Sequence, residues 1–216
     1  MAGIPVCGWK HENAARNQGA LRIAGLDEVG RGPLFGPVVA AAVILRKGCR
    51  ITGLTDSKML SEKKRAGFDC EIRATAVAWA IASVDVETID RINIRRASLL
   101  AMRLAVEQLA QAPDFLLPDF LLIDGRDTID WPCAQQAVIH GDAISLSIAA
   151  ASVLAKVHRD RLLVELDGQF PGYGLASHKG YGCPEHLAAL ARLGPTPLHR
   201  KSFNPVAQSA LQFPEL

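Results

Sequence analysis

Four acidic residues stand where a solvated surface charge is not expected. Asp27 and Glu28 follow the apolar segment Leu21–Leu26, Asp124 ends the run FLLI, and Asp142 opens the most apolar helical stretch of the chain. In an open α/β sheet, ligands bind in the crevice at the carboxyl ends of the strands, so three separate segments bring carboxylates to one region. Carboxylates gathered in a dry site repel one another unless cations neutralise them. Mg2+ or Mn2+, hard ions that take oxygen ligands, suit that set, and two of them roughly 4 Å apart stabilise both oxygens of a phosphoryl transfer. Taken singly, each residue reads more simply as a helix cap or turn former. Neighbours on a regular strand also point to opposite faces. Asp27 and Glu28 therefore share one site only if the chain leaves strand geometry at Val29 and Gly30, which the glycine permits.

The elements that must position these groups follow from apolar periodicity. Leu21–Leu26 and the β-branched run Val38–Leu45 read as two strands joined by the special turn GRGPLFGP. A solvated helix is expected over Ser61–Arg73, a strand over Val77–Val86, a helix over Ile89–Ala110 ended by Pro113, and a buried strand over Phe120–Ile123. Ala143–Leu166 reads as one long helix with Asp142 as its N-cap and Gly168 at its end. Strands followed by strands alternating with long helices predict an α/β domain with a mixed sheet. The expected division is a loose leader at 1–20, a catalytic domain at 21–170, a C-terminal substrate-binding appendage at 171–206 and a tail at 207–216. Gly, His and Tyr are concentrated in PGYGLASHKGYGCPEH, as in a binding loop, and Pro184–Leu193 is a short helix.

Composition narrows the classes. The chain has 216 residues, 49% of them hydrophobic, and a net charge of +2, enough to bury a core without disulfides or a structural metal. Its five cysteines include no C-x-x-C pair, which argues against a zinc site or a disulfide framework. Pro37–Leu45 is too short to span a bilayer and the N-terminus does not read as a signal peptide, so a cytoplasmic setting is expected. The small net charge hides a partition. Residues 114–142 carry six Asp against one Arg, whereas residues 46–73 carry eight basic against four acidic side chains and residues 152–204 carry seven against four. Acid is thus concentrated in one stretch that carries Asp124 and Asp142, and base is spread over flanking segments that could follow a phosphate backbone.

The blocks DEVGRGPLFGPV, TDSKMLSEKKR, PDFLLIDG, QQAVIHGDAISLSIAAASVLAKVHRDR, GYGLASHKGYG and HLAALARLGPTPLHRKSF resemble ribonuclease HII, the type 2 ribonuclease H, in order and at compatible spacing from Leu21 to Val206. The resemblance implies a ribonuclease H-like fold, a five-stranded mixed sheet flanked by helices with a small helical C-terminal appendage, acting as a monomer. It implies hydrolysis of the RNA strand of RNA–DNA hybrids and incision 5′ to single ribonucleotides in duplex DNA, leaving 3′-hydroxyl and 5′-phosphate ends, for removal of misincorporated ribonucleotides and RNA primers. Asp27, Glu28, Asp124 and Asp142 match the family's metal-binding carboxylates. Asp27 would bridge two ions, with Glu28 and Asp124 on one side and Asp142 on the other, and no covalent nucleophile is needed. Gly30, Arg31 and Gly32 match a GRG element that grips the nucleic-acid backbone, and Tyr181 matches a tyrosine that senses the ribo-to-deoxyribo junction.

Lys58 and Lys179, in matched loops, are candidate phosphate contacts. Ser145 and Ser147 either orient carboxylates or cap the helix, and Asp160, about 27 Å along a continuous helix from Asp142, reads as an ion-pair partner of Arg159 or Arg161. Phe35, Met59, His140 and Cys183 depart from the family's usual residues. A non-catalytic nucleic-acid-binding module is the alternative of another class, disfavoured because unneutralised acids repel phosphate. Ribonuclease HIII is the related enzyme alternative, disfavoured by the absence of its long N-terminal extension. Gln208–Phe213 has the form Q-x-x-L-x-F and resembles peptides that dock into sliding clamps.

Overall fold

The computed structural model describes residues 7–111 and 117–210. Five strands, β1 (Ile23–Val29), β2 (Val38–Ile44), β3 (Ala78–Val84), β4 (Phe120–Asp124) and β5 (Ala134–Val138), form one mixed sheet in the order β3-β2-β1-β4-β5. The first three pair antiparallel, and β4 and β5 run parallel to β1. β2, VVAAAVI, is buried at every position because helices cover both faces of the sheet. Val38, Ala40 and Ala42 pack toward α4 (Ile94–Ala110), where Ala97, Ala101 and Ala105 face them. Val39, Ala41 and Val43 pack toward α6 (Leu146–Gln169), against its Ala149–Ala151 stretch. Small residues on both sides let α6 settle close to the sheet. A Cβ on Gly25 would lie 2.2 Å from the Ser147 backbone carbon, so only glycine fits beneath the start of that helix.

Residues 10–17, expected within a loose leader, instead form α1 (Lys10–Asn17), whose Ala15 and Glu12 are buried. α2 (Glu62–Thr75) begins where predicted, with the Ser61 hydroxyl accepting from the Lys64 N–H. The helix expected over 89–110 is two, α3 (Val86–Ile92) and α4. Asn93 separates them at φ 68° and ψ 161°, a positive-φ conformation outside the left-handed helical region, and its side chain caps α4 at the Arg96 N–H. Pro113, the expected stop, lies outside the described residues. The long helix after 142 also breaks. Gly141–Ile144 form the single turn α5, Ser145 is extended, and its hydroxyl caps α6 at the Ile148 N–H. Asp142 is thus not the N-cap of the long helix, because the chain turns again three residues later. The C-terminal part comprises α7 (Leu175–His178), α8 (Pro184–Leu193) and α9 (Asn204–Ala210), packed on the far end of α6 through Phe35, Leu163, Tyr173 and Leu175. Among the described residues, no helix is long and apolar enough to cross a membrane.

Candidate active site

β1 places Asp27 on the face that packs against α6, and strand alternation places Glu28 on the other, since the strand runs regularly through Val29 and leaves extended geometry only at Gly30, φ 95°. The early departure that would have turned both side chains to one face does not occur. The two carboxylates instead straddle the carboxyl end of β1. Asp124 stands one step beyond the Leu26–Ile123 pair and so lies level with Asp27. Its Oδ1 accepts from the Gly141 N–H at 2.7 Å and the Asp142 N–H at 3.4 Å, which anchors the start of α5 to the end of β4.

The acids act on one another. Asp27 is pushed well above the ordinary carboxylate range, first by burial and then by Glu28, Asp124 and Asp142, against which a hydrogen bond from the Ser152 hydroxyl pulls it down. Burial also raises Glu28, opposed by Arg31, whose Nη1 lies 3.1 Å from Glu28 Oε1. Asp142 is raised to about 6 by burial, then by Asp124 and Asp56. Lys58 lies 3.8 Å from Asp142 Oδ2 on a side chain 79% exposed, next to the carboxylates as well as open to solvent. Desolvation lowers its ammonium, but Asp56, Asp142, Asp27 and Asp124 more than offset this and the net shift is upward.

Among the described residues, no three His, Cys, Asp or Glu side chains already stand close enough to cage a metal ion. The donor set nonetheless fits a hard divalent cation in kind: all oxygen, partly dry, and carrying charge that its neighbours cannot neutralise. Asp27, Glu28, Asp124 and Asp142 are the residues that would hold such ions.

Beside the acids lies a region built the opposite way. Arg159 and Arg200 are fully buried, and no carboxylate among the described residues lies within ion-pair distance of either. They donate only to backbone carbonyls. Arg159 bonds Pro37, Lys179 and Phe35 at 2.9–3.1 Å, and Arg200 bonds Gly30, Arg31 and Gly36 at 2.6–3.0 Å. Burial pulls the two guanidiniums down to about 10 and about 9, so both stay cationic at neutral pH. Gly30 pairs a positive φ with this close packing, since a Cβ there would stand 2.3 Å from Arg159 Nε. Arg200 therefore pins the GRG turn from below, and Arg159, packed against Gly30, ties the Phe35–Pro37 end of the same connection to the loop carrying Tyr181.

Tyr181 is 44% exposed and its ring lies against the turn, where a Cβ on Gly32 would meet its Cε1 at 3.5 Å. Three histidines support this loop. The Thr196 N–H donates to His199 Nδ1, which leaves Nε2–H of His199 to donate to His186 Nε2 at 3.2 Å, and His186 Nδ1–H to donate to the Tyr181 carbonyl at 2.9 Å. His178 stacks on His186, with ring centroids 4.6 Å apart. Burial, then His186, pushes His199 down to about 3, and burial lowers His186, so both rings are neutral.

The structure thus sets Arg31 against Glu28 and Lys58 against Asp142, with Tyr181 lying on Gly32 of the turn that begins at Gly30. Lys179 differs, because its ammonium donates to the Ala176 carbonyl and its own carbonyl receives Arg159. Asp160 pairs with Lys156 and Arg65 rather than with an adjacent arginine, and Arg161 reaches Asp69. Phe35 fills the core beneath the turn, edge-on to His199, whereas Met59 is 77% exposed beside Lys58. Sequence reasoning missed Ser152, Glu12, Arg200 and the histidine relay, and it considered Arg159 only as one of two ion-pair partners for Asp160. The signal for Ser152 was a lone polar residue in the apolar run AAASVLA, whereas Arg159 lies in the charged run KVHRDR, which reads as solvated.

A five-stranded mixed sheet with helices on both faces and acids at its carboxyl edge defines a ribonuclease H-like fold. The chain superposes on the ribonuclease H2 of Pyrococcus horikoshii OT3 with a TM-score of 0.75, at 21% identity over 91% of this chain and 100% of that one. It also superposes on a ribonuclease HII from Archaeoglobus fulgidus solved in complex with PCNA, with a TM-score of 0.70 at 26% identity over 85% of this chain and 96% of that one. Residues 24–206 match the family Ribonuclease HII, and a ribonuclease HII of Koribacter versatilis is 54% identical over 93% of this chain and 76% of its own length. The chain belongs to the ribonuclease HII family, endonucleases of the ribonuclease H type.

Proposed function

We propose that this chain hydrolyses the RNA strand of RNA–DNA hybrids and incises duplex DNA 5′ to single embedded ribonucleotides, leaving 3′-hydroxyl and 5′-phosphate ends. The observation that carries this reading is the pairing of an unneutralised carboxylate cleft with a GRG turn on which Tyr181 lies. Asp27, Glu28, Asp124 and Asp142 hold two divalent ions, Mg2+ or Mn2+. When bound, these supply Lewis acidity at the attacking water and the departing 3′-oxygen. The chain's own groups do the rest. Backbone N–H groups of Gly30, Arg31 and Gly32 approach the phosphate and 2′-hydroxyl where a larger side chain would stand in the way. Tyr181 packs its ring against the sugar at the junction, and Lys58 sits where it meets a phosphate oxygen and the field of Asp142. Lys179 contributes to the same surface through the loop conformation that it helps to hold.

The test is cleavage of a duplex carrying one ribonucleotide, with the ends of the products mapped. Wild type incises on the 5′ side in the presence of Mg2+ or Mn2+, and Asp27→Asn loses at least about 10^3-fold in turnover while keeping its fold. Near-native turnover by that variant removes the metal assignment. Gln208–Phe213 is part of the same proposal as a tether to a sliding clamp, a reading helped by the PCNA complex of the archaeal relative. Its Leu211–Phe213 portion lies outside the described residues. Deleting 208–216 should abolish retention by an immobilised clamp and leave hydrolysis of free hybrid unchanged.

A further inference from the structure

The N-terminal segment is fastened to the kink that follows Asp142. The Gly8 N–H donates to the Ile144 carbonyl and the Gly8 carbonyl accepts from the Leu146 N–H, both at 3.2 Å, a parallel bridge across Ser145. One turn into α1, the Glu12 carboxylate is 1% exposed. Its Oε1 accepts three hydrogen bonds, from Ser145 Oγ at 2.7 Å, the Ser147 N–H at 2.9 Å and Ser147 Oγ at 2.6 Å. Its Oε2 is buried with no hydrogen-bond partner among the described residues.

Helix capping alone does not account for this arrangement. Ser145 already caps α6 at the Ile148 N–H, and a neutral acceptor would bind the Ser147 donors without the several kcal/mol that burying a carboxylate costs. An orphaned buried oxygen adds to that cost. What the contacts do achieve is mechanical. α5 is a single turn, too short to hold itself, and Asp142 lies within it. In front, Asp124 accepts from the Gly141 and Asp142 N–H groups; behind, Glu12 and Gly8 grip residues 144–147. The Asp142 backbone is thereby fixed from two sides by two carboxylates belonging to α1 and β4. The Cys7 thiol, pushed up to about 12 by burial and then by Glu12 and Asp142, feels both acids.

We propose that Glu12 is a positioning residue that holds Asp142 in place for a divalent cation. This rests on the reading of Asp142 as a metal ligand. It makes the N-terminal segment a working part of the site.

The experiment uses the full chain and its Glu12→Ala, Glu12→Gln and Asp142→Asn variants. Mn2+ binding is measured by the loss of the free-ion electron paramagnetic resonance signal, alongside the Mn2+ dependence of turnover and urea unfolding in EDTA. Glu12→Ala should raise the half-saturating Mn2+ concentration about 10-fold or more, the size seen when the partner of a metal ligand is removed. Glu12→Gln, whose amide oxygen accepts the same bonds, should stay within about 3-fold of wild type on that scale. Unchanged Mn2+ binding by Glu12→Ala overturns the proposal, whatever happens to stability. So does a Gln variant as impaired as the Ala variant. Should Glu12→Ala fail to fold, Ser147→Ala removes one of the three donors at small volume and must shift the Mn2+ midpoint in the same direction. Asp142→Asn separates the two readings. If it binds Mn2+ as wild type does, the ligand assignment itself is wrong; if it loses Mn2+ while Glu12→Ala does not, only the Glu12 role fails.

Discussion

The site has two halves whose charges are incompletely neutralised in opposite senses. On one side Asp27, Glu28, Asp124 and Asp142 gather carboxylates whose protonation is favoured by their own crowding, with exposed Lys58 and Arg31 as the nearby cations. On the other, Arg159 and Arg200 sit fully buried beneath the GRG turn and spend every hydrogen bond on carbonyl oxygens. Folding alone would pair these charges with each other, since an ion pair repays part of the desolvation that each now bears alone. On the proposed function, keeping them apart would leave the acids free for divalent cations and the turn above the arginines free for phosphate. A substrate with its ions would satisfy both at once. On that reading the acidic half is held for function at a cost to stability, whereas the buried arginines also build the loop that they underlie.

That contrast makes opposite predictions for stability, and these are the largest effects expected. Arg200→Met leaves the Gly30, Arg31 and Gly36 carbonyls without their donors, and at about 1–3 kcal/mol for each unsatisfied buried group the metal-free protein should lose about 3 kcal/mol or more. Asp27→Asn relieves crowded charge and should stabilise the metal-free protein at pH 7, by on the order of 1 kcal/mol, while abolishing turnover. Urea midpoints in EDTA measure both. If the two variants move stability in the same direction, the contrast between the halves is false.

A smaller effect distinguishes chemistry from recognition. Tyr181→Ala should cut the preference for a single-ribonucleotide duplex over a uniform hybrid, in kcat/KM, by about 10-fold, as loss of one ring contact does. Because the ring is 44% exposed, unfolding free energy should change by no more than about 0.5 kcal/mol. Mn2+ binding should not change at all. Equal losses on both substrates would place Tyr181 with the scaffold instead of with junction sensing.

The outline of both halves was legible in the sequence, for different reasons. Apolar runs ending in Asp27 and Asp124 announce strands, and the GRG turn lies between two of them, so both acids and the turn could be placed at one edge of the sheet from the sequence. What escaped depends on contacts between distant segments. Glu12 lies in a helix whose mean composition is polar, and nothing local says that its carboxylate is buried against residues more than 130 positions away. Arg200 stands among Pro, His, Lys and Ser, where a solvated cation is the ordinary reading. β5, AQQAV, is a half-exposed edge strand and lacks the apolar run that reveals β2 and β4. The kink at Ser145 was hidden by an Ala-rich helical stretch on its C-terminal side, which made Asp142 look like the start of that helix when it belongs to the turn before.

The finest test is the pH dependence of the metal-free protein, because the acids and the histidines titrate with opposite sign. Asp142 has its folded value raised from 3.8 to about 6, so between those limits the folded state keeps a proton that the unfolded chain has released. Stability from this site is therefore greatest below pH 4 and falls as pH rises toward 6, the reverse of a salt-bridged carboxylate. His199 is lowered from 6.5 to about 3, so acidification lets the unfolded chain take up a proton that the buried ring refuses, and stability falls as pH drops through that range. The two trends partly cancel in wild type. Asp142→Asn removes the first and keeps the second, so its urea midpoint should climb more steeply than that of wild type between pH 4.5 and 6.5 in EDTA. Adding Mg2+ or Mn2+ should steepen the wild-type curve toward that of the variant, since a cation binds the deprotonated acids and not the protonated ones. Parallel curves for the two proteins in EDTA would mean that the carboxylates do not crowd one another as the cleft geometry requires.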